Sequence, residues 1–513
     1  MSELVVAGRL AHGSVLKRAP YVHLLWFTVL CALCVLVYAQ TLEFEFINLD
    51  DKLLVRGNPH LADGINAEFI HWSITTILGG NWNPLVWWSF ALDNSLLGAG
   101  PRGHHLTNLI LHGLNTIVLY LLFVRLRLST AQAALGAAIF AVHPQHVEAV
   151  AWIMARKDLL STLFGLLAIL TYLNEKAERG GLAQQSKVAL LMLLSIMAKP
   201  MFITLPAILL LLDFWPLRRF TNLALKQNII SLIQEKWLLL LLSTAAGLVG
   251  YLSHAIGGGV SSPVWEIVAG NVLKAYALYL SKFFLPLSLS PYYPYSNAGI
   301  DLVALLALMA MLGVSGLCLY FRHRAAWLLI GWLWFLGTLV PVSGVIPFGI
   351  QGAADRFSYV PHTGLILIVV AGGARLPVRN AIKYILAVST LACFAAVAWV
   401  QTSHWTNTMT LFQHADSVVE NDAFISHQIS TEYAIRGEWE KAIQQNLRGI
   451  DALDQGAPEI DGLRLEMWRK TGLYLHIMGR QNEALYYLET ALENAPHDVR
   501  TQQLLDALHS DTQ

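Results

Sequence analysis

Apolar runs of near-spanning length recur down most of this chain, and they leave few folds open to it. They lie near residues 21 to 39, 104 to 124, 130 to 142, 158 to 173, 187 to 198, 200 to 213, 237 to 255, 265 to 286, 302 to 321, 326 to 345, 362 to 374 and 382 to 400. A helix needs about 20 apolar residues to cross a bilayer, so several of these are short. A soluble core cannot absorb them: 55% of the residues are hydrophobic and 13% charged, against about 25% charged in soluble domains. The expected class is mainly α, a polytopic helical membrane protein. Its first run, "APYVHLLWFTVLCALCVLVYAQ", has no small-residue cleavage site after it and reads as a retained span.

Charge placement then predicts topology. Lys and Arg excess in short loops marks the cytoplasmic side. Basic groups fall at Arg9, Lys17 and Arg18; Arg125 and Arg127; Lys176, Arg179 and Lys187; Arg218, Arg219 and Lys226; Arg322 and Arg324; and Arg375, Arg379 and Lys383. They alternate with loops rich in His, Asp, Trp and Pro: 42–103, 143–157, 257–263, 291–301 and 344–361. The N-terminus is expected inside and the polar aromatic loops outside. Twelve crossings would return the C-terminus to the inside, against the loop signs. Residues 265 to 286, with Glu266, Asn271, Lys274 and Lys282, are the run least suited to hydrocarbon, which leaves about eleven spans. Zero net charge gives no basic surplus for a nucleic-acid partner, and Cys31, Cys34, Cys318 and Cys393 all lie in apolar runs as small core hydrophobes.

Two domains are expected, residues 1–403 in the membrane and 404–513 outside it. In the second, "EYAIRGEWEKAI" recurs as "LHIMGRQNEALYYLETALENAP", with Gly437 and Ala442 answering Gly479 and Ala484. Gly at a helix turn and a small residue where the next helix crosses form the tetratricopeptide pattern. Such repeats bind peptides, or serve as a packing module.

The ionisable residues collect in the outer loops. "EFINLDDKLLVRGNPHL" carries Asp50 and Asp51 just beyond the first span, where a carboxylate can act as a base, hold a metal, or simply cap a turn. The same loop, 42–103, continues with Trp72, Trp82, Trp87 and Trp88, suited to amphipathic helices along the surface. His105, Asn108 and His112 follow at helical spacing, a pattern that most often joins helices. In "FAVHPQHVEAVAWIMARKDLL" a continuous helix would align Glu148, Trp152 and Arg156 at steps of four, making Glu148 and Arg156 a pair bridged by other groups. His143 and His146 match no zinc-hydrolase spacing. Lys199 in "MAKPMF" and Arg356 in "GAADRFSYVPHTG" are cations where an apolar chain would not choose them. Each suits snorkelling or, for an arginine fork, phosphate binding.

In order, "NLDDKLLV", "NWNPLVWWSFALDNSLLG", "HHLTNLILH", "FAVHPQHVEAVAWIMARKDLLSTLF", "AKPMFITLPAILLLLDFWP", "GTLVPVSGVIPFG" and "ADRFSYVPHTG", closed by the repeats, this set resembles the transmembrane and tetratricopeptide-repeat-containing glycosyltransferases, relatives of the protein O-mannosyltransferases. The resemblance implies a GT-C fold with its site on the outer or lumenal face, in the bacterial inner membrane facing the periplasm or in a eukaryotic endoplasmic reticulum membrane. It implies a polyprenyl-phosphate sugar donor and a hydroxyl acceptor, as on Ser or Thr of a protein. The family acid falls on Asp50 and Asp51, with Asp51 favoured as the acid farther from the membrane. Other family positions fall on His143, His146, Glu148, Arg156, Lys157 and Asp158, and on Asp355, Arg356, Tyr359 and Pro361. Here Asp355, Ser358 and His362 replace the usual residues, and Pro200 stands where an acid commonly follows Lys199. The resemblance therefore implies Asp51 or Asp50 as base. Arg356, with Arg156 or Lys199, is implied for the carrier phosphate, and His143, His146, Glu148, Lys157, Asp158, Tyr359 and His362 for the cavity wall. It implies no certain cofactor, and a divalent metal is not indicated. Two alternatives stay open: a ligase or polymerase of lipid-linked oligosaccharides, and a non-catalytic scaffold recruiting partners through its repeats.

Overall fold

The structure, a computed structural model, describes residues 20–62, 64–174, 181–220, 225–256, 264–345 and 351–511. Arg9, Lys17, Arg18, Lys176 and Arg179, the loop 257–263 and part of the loop 344–361 lie outside the described residues. The described residues are mostly helical, and the one sheet among them pairs Tyr293–Pro294 antiparallel with Gln351–Ala353.

Among the described residues four helical segments are long and apolar enough to cross a membrane: Pro20–Glu43, Pro101–Arg125, Leu302–Tyr320 and Asn380–Ser403. Ile229–Glu235 with Trp237–Ser253, bent by 64°, makes a fifth if the pair is one span. Thr130–Val142, Leu182–Ala198, Pro200–Phe214, Ala326–Val342 and His362–Gly373 are shorter apolar helices. Trp265–Phe284 owes its polarity to the loop that follows it. Its Lys274 pairs with Asp301 at 2.8 Å, and Lys282 donates to the carbonyls of Leu287 and Ser288. These charges face protein, where their partners offset the cost of leaving water.

Pro101–Arg125 is the axis of the membrane part, its apolar window 72% buried, whereas that of Asn380–Ser403 is 6% buried. Packing around the axis is close where side chains vanish: a Cβ on Gly364 would lie 2.2 Å from the carbonyl oxygen of Gly331, so these two helices meet backbone to backbone. Within the loop 42–103, Ala67–Thr75 and Pro84–Leu97 form two short helices, and Trp87 and Phe90 turn inward into the core.

The last segment stacks antiparallel helices: Thr408–Val418, Ala423–Ile435, Trp439–Asp454, Leu463–Ile477, Gln481–Asn494 and Val499–Asp511. Gly437 and Gly479 both take left-handed φ, 76° and 75°, at turns between helices, a conformation that a Cβ would strain. Ala442 and Ala484, the small residues that follow, are fully buried.

Candidate functional site

The stretch from Phe140 to Leu160 does not form the continuous helix its spacing predicts. After Thr130–Val142 it breaks into a 3-10 turn at Pro144–His146, one helical turn at Val147–Ala151 and a second 3-10 turn at Ile153–Ala155, before Arg156–Tyr172 resumes. The break is supported from the axial helix. Asn108 Nδ2 donates to the carbonyls of Val150, Trp152 and Ile153 at 3.3, 3.1 and 3.4 Å, groups that would otherwise be buried and unpaired. Asn115 does the same for Leu159 at 3.0 Å.

This break corrects the expected pairing of Glu148 with Arg156. Arg156 is fully buried and bonds Asp93, the Asn108 Oδ1 at 2.9 Å and the His104 carbonyl at 2.7 Å. It therefore cannot reach a phosphate in this arrangement. Glu148 instead takes two bonds from Arg356: Oε2 accepts the backbone N–H at 2.8 Å, and Oε1 accepts Nη1. Asp93, the acid inside "FALDNSLLG", escaped the sequence reading; its one signal was an acid mid-way along an otherwise apolar helix.

The histidines are also placed behind the site, not facing into it. His143, His146 and His362 are fully buried, their donor nitrogens within 4.8 Å of one another, a group that could hold a metal ion. Hydrogen bonds among them assign neutral rings. His143 Nδ1 accepts the Gln145 N–H at 3.2 Å, so its Nε2 donates to the Phe283 carbonyl at 3.1 Å. His146 Nδ1 donates to the Phe140 carbonyl at 2.8 Å, leaving Nε2 to accept from His362 Nδ1 at 3.0 Å. Burial pushes the His143 imidazole down to about 4 and His146 well below its ordinary value. Tyr359 is equally committed, its hydroxyl bonding His112 at 2.7 Å and Asn115 at 3.3 Å.

Three cations do converge. Lys157 begins the resumed helix, Lys199 sits at the break before Pro200, and Arg356 begins the 3-10 turn Asp355–Ser358. Two aromatic faces separate them: Lys157 and Arg356 lie over Trp152 at 5.4 and 5.0 Å, and Lys199 and Arg356 over Phe357, both at 4.7 Å. The ring quadrupoles help hold like charges together. Lys199 bonds Asp158 at 2.6 Å. Burial, opposed by Asp158, lowers its ammonium to about 8. Among the described residues Arg356 Nε is buried with no hydrogen-bond partner. Glu148 occupies only Nη1, so the Nε and Nη2 edge of the Arg356 guanidinium, the edge that grips two oxygens, is unspent.

The adjacent acids of the first loop separate into different surroundings. Asp51 is fully buried; its Oδ2 accepts the Ile47 N–H at 3.2 Å and its Oδ1 the Met154 N–H at 3.0 Å. Burial nevertheless lifts this carboxyl to about 7. It fastens the first loop to the broken segment. Asp50 is half-buried and close enough to Lys157 and Arg356 to stabilise both charges. Beside Lys199, Pro200 also lines an apolar cavity of about 160 Å³ with Trp82, Leu193, Ile196, Leu242 and Val249.

No family model matches the chain. Among curated proteins, Protein O-mannosyl-transferase Tmtc1 of Drosophila melanogaster is 34% identical over 156 residues, 29% of this chain and 18% of that protein. The human TMTC1 protein of the same name is 34% identical over 157 residues, 28% of this chain and 17% of that protein. A Caenorhabditis elegans protein O-mannosyl-transferase aligns more widely, 22% identical over 435 residues, 78% of this chain and 59% of that protein. The chain thus matches under a fifth of the length of the fly and human proteins. The likeness read from the ordered motifs and these alignments agree: the chain is similar to curated proteins named protein O-mannosyl-transferase.

Proposed function

We propose that this chain is an integral-membrane glycosyltransferase that takes a sugar, as in mannosyl transfer, from a polyprenyl-phosphate carrier and passes it to a hydroxyl of a protein acceptor. The observation that carries the reading is the unspent edge of Arg356, which shares aromatic faces with Lys157 and Lys199, together with an apolar cavity lined by Pro200, the residue after Lys199. A lipid-linked phosphate needs both features in one place: a planar fork with neighbouring cations for the anion, and an apolar path for its tail. The relatives' names supply the transfer chemistry.

In this mechanism Asp50 takes the acceptor proton, and the freed oxygen attacks the anomeric carbon from the face opposite the phosphate. The bond from that carbon to the phosphate oxygen breaks, and its electron pair leaves with the phosphate, whose growing charge Arg356, Lys157 and Lys199 stabilise. Configuration inverts. We choose Asp50 over Asp51, the acid favoured on sequence, because both Asp51 oxygens already accept backbone N–H groups. Glu148 and Asp158 hold Arg356 and Lys199 in place. The loops that build the site are those rich in His, Asp, Trp and Pro, which alternate with the basic short loops, and this supports a site on the lumenal or periplasmic face. The helical pairs turning at Gly437 and Gly479 we read as tetratricopeptide repeats that engage the acceptor.

The test incubates purified full-length protein with mannosylated polyprenyl phosphate, a lipid-linked oligosaccharide, and Ser/Thr peptides, reading peptide mass. One added hexose, lost in Asp50→Asn, supports the reading. A whole added oligosaccharide makes the chain a ligase, and no product with any donor favours the scaffold.

A further inference from the structure

We infer that the C-terminal helical unit is more than an acceptor platform: Glu432, far along the chain from the first loop, is a positioning residue for the transfer step, acting through Lys52 on the loop that carries Asp50. This inference rests on the proposed transferase reading.

Residues 45 to 52 are gripped from two sides. On the membrane side Asp51 binds Met154. On the other, the Glu45 N–H donates to the Thr406 carbonyl at 3.0 Å and the Asn48 N–H to Thr408 Oγ1 at 2.9 Å. Leu49 packs against the cluster formed by Tyr292, Met409, Phe412 and Ile429. Lys52 Nζ then closes the set on Glu432 Oε1 at 2.9 Å, with the glutamate side chain 9% exposed and the lysine 32%. Asp50 lies between these anchors, its own side chain without a hydrogen bond among the described residues. Its carbonyl accepts the Leu54 N–H at 2.7 Å, within the turn that Lys52 tethers.

A base misplaced by about 1 Å loses on the order of a hundredfold in rate, so a loop held by a partly buried ion pair controls chemistry without touching substrate. A peptide bound along the helical unit would thereby bear on the geometry of the base.

The experiment uses the full chain in nanodiscs and compares wild type, Glu432→Gln, Lys52→Met and the exchanged pair Lys52→Glu with Glu432→Lys. We expect kcat to fall about tenfold or more in each single variant with KM for the lipid donor unchanged, and the exchanged pair to recover most of it. Hydrogen exchange should quicken at residues 50–56 in the single variants and slow again in the exchanged pair. Unchanged kcat in a folded Glu432→Gln, or a folded exchanged pair with no recovery, overturns the inference. Hydrogen exchange reads the loop without turnover: were the wild type inactive with every donor, the transferase reading would fail, while unchanged exchange at residues 50–56 would separately refute control of the loop by Glu432.

Discussion

Arg356→Lys is the perturbation on which the phosphate site depends most sharply. The lysine keeps the positive charge and can still meet Glu148, so the long-range field on an anion is preserved. It loses the planar fork whose Nε and Nη2 edge has no protein partner. Two parallel bonds to phosphate become at most one, and a hydrogen bond to a charged group contributes about 1.5–3 kcal/mol. At 1.4 kcal/mol per tenfold, affinity for polyprenyl phosphate should fall about ten- to a hundredfold. Arg356→Ala is a poorer instrument, since stripping a buried acid of its partner costs about 3–5 kcal/mol of stability and mixes folding with binding. The assay is a titration of polyprenyl phosphate against protein in nanodiscs, alongside thermal unfolding of both forms. Undiminished affinity in a folded Arg356→Lys protein would refute the fork. So would a loss matched by equal weakening for an uncharged polyprenol, which would assign the effect to the tail.

Asp50→Asn should abolish transfer while leaving donor affinity and folding near wild type; Asp51→Asn, which places an amide N–H against one of two backbone donors, should lower thermal stability, and the unfolding midpoints of the two variants separate the roles. For Lys199, the ammonium that assists phosphate binding is present below about pH 8 and is lost above it, so kcat/KM for the donor should decline about tenfold per pH unit beyond that point. Lys199→Arg should flatten that limb, and a wild-type profile flat to pH 10 would remove Lys199 from binding. Arg156→Met should destabilise the fold by about 3–5 kcal/mol, because Asp93 is left buried without its partner, yet leave donor affinity in the surviving folded fraction unchanged.

Hydropathy made the helical membrane class legible, because a 20-residue apolar helix has few alternatives. The glycines at 437 and 479 marked their turns because a left-handed φ selects that residue. Pairing was far less legible. A step-of-four rule joins Glu148 to Arg156 only if the helix runs through Trp152, and three carbonyls bonded by Asn108 stop it there. The actual partners lie 208 residues away for Glu148 and 63 for Arg156, distances over which spacing carries no register. The two loop acids were equally ambiguous: adjacent side chains of one turn take opposite surroundings, and only the docking of Met154 against Asp51 decides which is spent. The aromatic faces of Trp152 and Phe357, which let three cations share a small volume, belong to segments that meet only in the folded chain.

The most direct test of the site is a structure of the full chain in nanodiscs with a non-transferable polyprenyl-phosphate sugar. The phosphate should lie against the Nε and Nη2 edge of Arg356 within reach of Lys157 and Lys199, with the tail entering the cavity beside Trp82 and the anomeric carbon turned toward Asp50. A phosphate seated elsewhere, as among Arg219 and Lys236 at the far ends of the helices, would contradict the account.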